Sequence, residues 1–133
     1  MISNRILQTT VDGLKAISRV DLCIVDADKN VAAKTFDNVS ECLADAISFI
    51  DSPAESQAVN GFQFFKVEDD GNLEYIIMAR GTSDDVYMVG KLTAFQIQNL
   101  LVAYKERFDK DNFIKNYLDE TSTEGDENSI DDG

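Results

Sequence analysis

The sequence predicts an α+β domain: an N-terminal helix, a five-stranded antiparallel sheet and a long C-terminal helix. Three observations carry this. Apolar residues recur at helical spacing near both ends of the chain. Between them lie short apolar or alternating runs bounded by turn residues. The length of 133 residues, 44% of them apolar, suits one domain with one core.

The first helix is expected over residues 2–18, where Leu7, Val11, Leu14 and Ile17 line one face and Gly13 weakens it modestly. Leu22-Cys23-Ile24-Val25 is apolar throughout, which fits a strand covered on both faces. Asp26-Ala27-Asp28-Lys29-Asn30 reads as a turn, and residues 31–36 resume an extended segment, giving a hairpin. A second helix is expected over 39–50, with Asn38 and Glu41 as a capping box and Leu43, Ala46, Ile47 and Ile50 as its buried stripe; Pro53 follows its end. Residues 51–60 read as a polar connection.

Strands at 61–68 and 73–80 flank Asp69-Asp70-Gly71-Asn72, whose Asp-Gly pair signals a hairpin. A third strand at 86–92 completes a meander. Thr93 and Gln96 form a second capping box, and Ile97, Leu100, Leu101, Tyr104 and Phe108 give the stripe of a long helix, with a possible interruption at 109–112. The order helix, two strands, helix, three strands, helix is the PAS/GAF-like α+β plan. The folded domain is expected to span residues 1–118. Residues 119–133 hold seven acids, no base and a single large apolar residue, Ile130, so they are expected to form a disordered tail.

Composition narrows the chemistry. Twenty-five acids against 12 bases give a net charge of −13, although with the tail set aside 18 acids face 12 bases, an ordinary balance. No diffuse basic field is available for nucleic acid. The chain lacks His, so no His base, no Ser–His or Cys–His pair and no imidazole zinc site can be assembled. Cys23 and Cys42 belong to no C-x-x-C pair and are too few for a disulfide-scaffolded secreted domain, and Cys23, inside an apolar run, reads as a buried inert thiol; the chain is read as cytoplasmic. Asp26 to Asn30 does not extend to a calcium loop, because Val31 stands where Gly is required and Asp37 where Glu is expected. No run is long enough to cross a membrane. No enzyme, metal or cofactor is expected.

Two stretches carry a family resemblance. Ile6-Leu7-Gln8-Thr9-Thr10-Val11-Asp12-Gly13-Leu14-Lys15 leading into Val20-Asp21-Leu22-Cys23-Ile24-Val25-Asp26 resembles the start of bacterial carbohydrate (sugar) diacid regulators. So does Val86-Tyr87-Met88-Val89-Gly90-Lys91-Leu92 with Gln96-Ile97-Gln98-Asn99-Leu100-Leu101, continued by Tyr104 to Asn116. The resemblance covers residues 1–118. It implies the N-terminal sensory domain of a transcription factor whose DNA-binding module, a helix-turn-helix of the purine-catabolism-regulator type, lies elsewhere. This chain has no such module, so direct DNA binding by it is not expected.

Candidate ligand-binding residues follow from chemistry. Arg80, at a strand end beside Gly81, could hold a carboxylate bidentately, with Thr82 and Ser83 adding hydroxyls. Lys66, Tyr87 and Lys91 would lie on neighbouring strands. Phe62, Phe64 and Phe65 could line a cavity or form core. The apolar stripes of the terminal helices (Leu7, Val11, Leu14, Ile97, Leu101, Tyr104 and Phe108) could build a homodimer or transmit a signal. The expectation is a ligand-sensing domain of a transcriptional regulator, binding a small carboxylated metabolite. The alternative is a stand-alone dimerisation or protein-interaction module without a ligand.

Overall fold

A computed structural model describes residues 2–125, with side chains described as far as Arg107. The chain divides into two units at Leu101/Val102, and the first carries the sheet. Its elements are α1 (Asn4–Ser18), β1 (Asp21–Asp26), β2 (Val31–Lys34), α2 (Ser40–Ile50), β3 (Ser56–Val59), β4 (Phe62–Asp69) and β5 (Asn72–Arg80), followed by α3 (Val86–Gly125). The five strands form one antiparallel sheet in the order β2-β1-β5-β4-β3. The α+β class and the PAS/GAF-like layout expected from the sequence are both present.

Local chemistry sets the boundaries. Ser3 caps α1 by accepting the Ile6 N–H, and Arg19 ends it in the left-handed region at φ 63°. The β1–β2 turn is organised by Asp26, whose Oδ1 accepts from the Asp28 and Asn30 N–H groups at 2.9 Å each. Asp70 and Gly71 take φ 53° and 80°, both positive, as the two-residue turn between β4 and β5 requires.

Four details depart from the sequence reading. First, α2 has Val39 at its N-cap with no side-chain bond, so the Asn38/Glu41 capping box does not form. Second, α2 turns Cys42, Ala46 and Phe49 inward, with Leu43 and Ile50 only flanking the core. Third, β3 occupies part of the segment read as a connection, joined to β4 by Asn60 and Gly61 at φ 50° and 84°. Fourth, residues 86–92 are not a strand. They are the first turns of α3, and Thr93 is a buried residue inside that helix, its hydroxyl donating to the Val89 carbonyl at 2.7 Å. The helix is unbroken at 109–112 and continuous to Gly125, past the point where the sequence places the tail. Residues 126–133 of that tail lie outside the described residues.

Both sheet faces are covered. On one, α2 packs over Cys23, Val25, Phe36, Phe62, Phe64, Ile76 and Met78. On the other, strand alternation presents Leu22, Ile24, Phe65, Val67, Ile77 and Ala79, all buried. Helix α1 lies against β1 and β2 there. Helix α3 comes down on β4 and β5 at Gly90, where an added Cβ would stand 2.2 Å from the Phe65 ring and 3.1 Å from the Ala79 Cβ. Only a glycine allows this approach.

The two helical glycines therefore answer substitution oppositely. Gly13 in α1 has nothing within 4 Å of a built Cβ, so Gly13→Ala should gain about 0.5–1 kcal/mol from helix propensity. Gly90→Ala has the same propensity gain, but overpacking against the sheet costs about 1–3 kcal/mol and wins. Urea denaturation of the two variants checks the opposite signs.

Candidate functional site

Asp21, Thr35 and Arg80 meet at one end of the sheet. Asp21 opens β1 and sits opposite Arg80, the last residue of β5. Its carboxylate accepts from Lys15 of α1, from the Thr35 hydroxyl at 3.1 Å and from Arg80 Nη2 at 3.4 Å. The Arg80 guanidinium also lies over the Phe36 ring, 4.2 Å from its centroid, and 5.6 Å from that of Phe62. Partial burial raises the Asp21 carboxyl, but the bonds from Lys15, Thr35 and Arg80 and the Lys15 charge outweigh it and hold the group below its ordinary value. Arg80 is thus engaged and still partly exposed at the rim of the α2-side core. It stacks on two aromatic rings and keeps guanidinium N–H groups beyond the single one given to Asp21.

The other expected ligand residues do not converge on Arg80. Thr82 and Ser83 are exposed, and the Ser83 hydroxyl accepts the Asp85 N–H at 3.2 Å just ahead of α3. Ser83 borders a shallow cavity of about 270 Å³ whose wall includes Asn60, Gly61 and Phe62. Lys66 and Lys91 both line a different, open cavity of about 440 Å³, with Glu55, Ser56, Phe65 and Gln98. The Lys66 ammonium, however, donates to the Ser52 carbonyl and lies 4.9 Å from the Phe49 centroid, on the α2 side. Lys91 sits over Tyr87, 5.7 Å from its ring centroid, and Tyr87 packs on Phe65 at 5.4 Å. Tyr87 and Lys91 belong to a helix, not to a strand beside Lys66. Phe62, Phe64 and Phe65 are buried core residues.

The residues expected to make a dimer are mostly committed inward. Leu7, Val11 and Ile97 are fully buried and Leu101 nearly so, while Leu14 and Tyr104 are half-buried. Phe108 lies outside the described side chains.

A different set of exposed residues is apolar and lies outside the expected ligand site. Ile17, at the end of the α1 stripe, is 84% exposed, Phe95 63%, Met88 57% and Leu92 53%. Leu14 and Ile17 of α1 and Leu92 and Phe95 of α3 line an apolar groove of about 570 Å³, with Gly13 and Thr10 along one wall. Single exposed apolar residues are ordinary; these are grouped on adjacent helices and form a candidate docking surface. Burying a Leu, Met or Phe side chain is favourable by about 1.5–3 kcal/mol each, so this surface holds unspent association energy. The signal lay in residues 86–92, apolar on both sides at once.

Among the described residues no group of three or more His, Cys, Asp or Glu side chains could hold a metal, and no helix is long and apolar enough to cross a membrane. Cys23 and Cys42 are free and buried. Burial, with the neighbouring Cys42, pushes the Cys23 thiol up to about 12, and burial raises Cys42 as well.

Two outcomes follow. Because the folded Asp21 carboxyl titrates below its unfolded value, its ionised form stabilises the domain above about pH 4, and that contribution fades as pH falls through the folded value. Asp21→Asn should cost about 1 kcal/mol at pH 7, the partly exposed partners screening the pair, and the gap to the parent should close in melts below pH 4. Second, neither thiol should react with an aromatic disulfide reagent in native buffer at pH 8, and both should react at once in 6 M guanidinium.

Comparison with known proteins gives no matching family model, no matching curated protein and no matching solved structure.

Proposed function

We propose that the chain is a cytoplasmic sensory domain of the kind the resemblance to sugar diacid regulators implies, working through its terminal helices on a DNA-binding output module. No reaction is assigned to it. The observation that carries this reading is the apolar outward face of α1 and α3. A self-contained domain gains nothing from exposing Ile17, Met88, Leu92 and Phe95, whereas a domain that passes its state to another surface needs such a face. In this reading a small carboxylated metabolite binds at Arg80, the one guanidinium at an aromatic-lined rim. Asp21 and Lys15 tie that rim to α1, so a carboxylate that competes with Asp21 for Arg80 shifts the population of α1 arrangements.

A second reading is favoured by a specific observation. Arg80, Lys66 and Lys91 each already have an internal partner, and Arg80 lies apart from the cavity that Lys66 and Lys91 line. That arrangement suits an interaction module that needs no small ligand.

A thermal-shift screen of sugar acids and dicarboxylates at millimolar concentration separates the two. A ligand that binds only the folded chain must raise the melting temperature. The sensory reading expects a shift that Arg80→Ala removes. A flat response to every acid rejects it and leaves the interaction module.

A further inference from the structure

The exposed residues of α3 have a spacing that specifies their partner. Met88, Leu92, Phe95 and Asn99 recur at intervals of 4, 3 and 4. At about 100° per residue these four fall within about 60° of one another, a single stripe. The buried residues Val86, Val89, Gly90, Thr93 and Ile97 occupy the opposite side of the same helix. The outward stripe therefore cannot reach this chain's own sheet. Its 4-3-4 recurrence is the a/d spacing with which one helix can pack along another.

We propose that the seam is occupied by α3 of a second copy of this chain, lying parallel and in register, with Ile17 of α1 flanking it on each side. Three observations select that occupant. Between Met88 and Asn99 the stripe is uncharged in a chain of net charge −13, so over that stretch two copies approach each other without opposing acids. Asn99 is the one polar member of the stripe, exposed and at a heptad a position when Met88 and Phe95 are taken as d. An amide carries both donor and acceptor, so the Asn99 side chains of two parallel copies satisfy each other across the axis, and a polar a residue fixes that register. In the same arrangement Lys91, at g, comes beside the partner's uncharged Gln96, at e. The homodimer expected from Leu7, Val11, Ile97 and Leu101 is thereby relocated to the opposite side of the helix.

The inference rests on the reading of the α1/α3 face as a docking surface. The test is sedimentation equilibrium of the full chain between about 1 and 200 μM, together with cross-linking at the seam. The parent chain should populate a dimer, and Phe95→Glu should weaken it at least tenfold with an unchanged circular dichroism spectrum. Asn99→Cys should form a disulfide-linked dimer on mild oxidation, since paired a positions of parallel helices fall within reach of a disulfide. Cys23 and Cys42 are buried and leave that reaction to position 99. Adding Phe95→Glu to Asn99→Cys should abolish the cross-link. A parent chain that is monomeric throughout overturns the proposal. So does a dimer indifferent to Phe95→Glu, or one in which Asn99→Cys does not cross-link. A monomer that a sugar acid nonetheless stabilises would sink the second copy and leave the sensory reading intact. A dimer that no acid stabilises would do the reverse.

Discussion

The approach of α3 to the sheet at Gly90 is the constraint on which the outward face of that helix depends. With hydrogen in place of a side chain, the helix backbone settles onto Phe65 and Ala79. That contact fixes the rotation of the helix about its own axis. Once Gly90 faces inward, Val86, Val89, Thr93 and Ile97 must follow it, and Met88, Leu92 and Phe95 are turned to the outside. A larger residue at 90 would lift the helix or rotate it, and the outward stripe would change composition with it. The core contact and the exposed apolar stripe are two sides of one packing decision.

The Asp21 cluster does the corresponding work for α1. It joins residues 15, 21, 35 and 80, from a helix, two separate strands and the segment after β2, by charge-assisted bonds of modest individual strength. Gln8 adds a second tie, its side-chain amide donating to the Lys34 carbonyl at 2.8 Å and accepting the Lys34 N–H at 3.1 Å. The helix is thus positioned by polar contacts at β2 and at the sheet end, with Leu7 and Val11 buried between them. Lys15 ties the last turn to Asp21, and the same turn carries Ile17 outside.

Much of the fold was legible because its signals are local. The all-apolar run at 22–25 identified a strand covered on both sides, and Asp70-Gly71 identified the hairpin of β4 and β5. The misreadings have physical causes. Residues 86–92 imitate a strand because both sides of that helix are apolar, one side for the core and one for the exterior; periodicity fails where a helix serves two surfaces. The strand at 56–59 is short, exposed and at the sheet edge, so composition hides it, although Asn60-Gly61 was a turn signal that pointed to it. Arg80 could be placed on the correct face from alternation alone. Its partners could not, because Asp21, Phe36 and Phe62 are brought to it by pairings distant in sequence.

Gln8 has a consequence for how the sheet ends. By binding both backbone groups of Lys34 that point away from β1, it occupies part of the outer margin of β2 in the way another strand would. A stray extended peptide cannot add there without displacing α1. The opposite margin, along Ser56–Val59, is built from short exposed polar and small residues and offers little side-chain surface to an incoming strand. Ribbon-like growth of the sheet from chain to chain is thereby discouraged at both margins, one by a side chain that mimics a strand and one by brevity. Of the surfaces described, the helix faces carry the exposed apolar residues that neither margin offers.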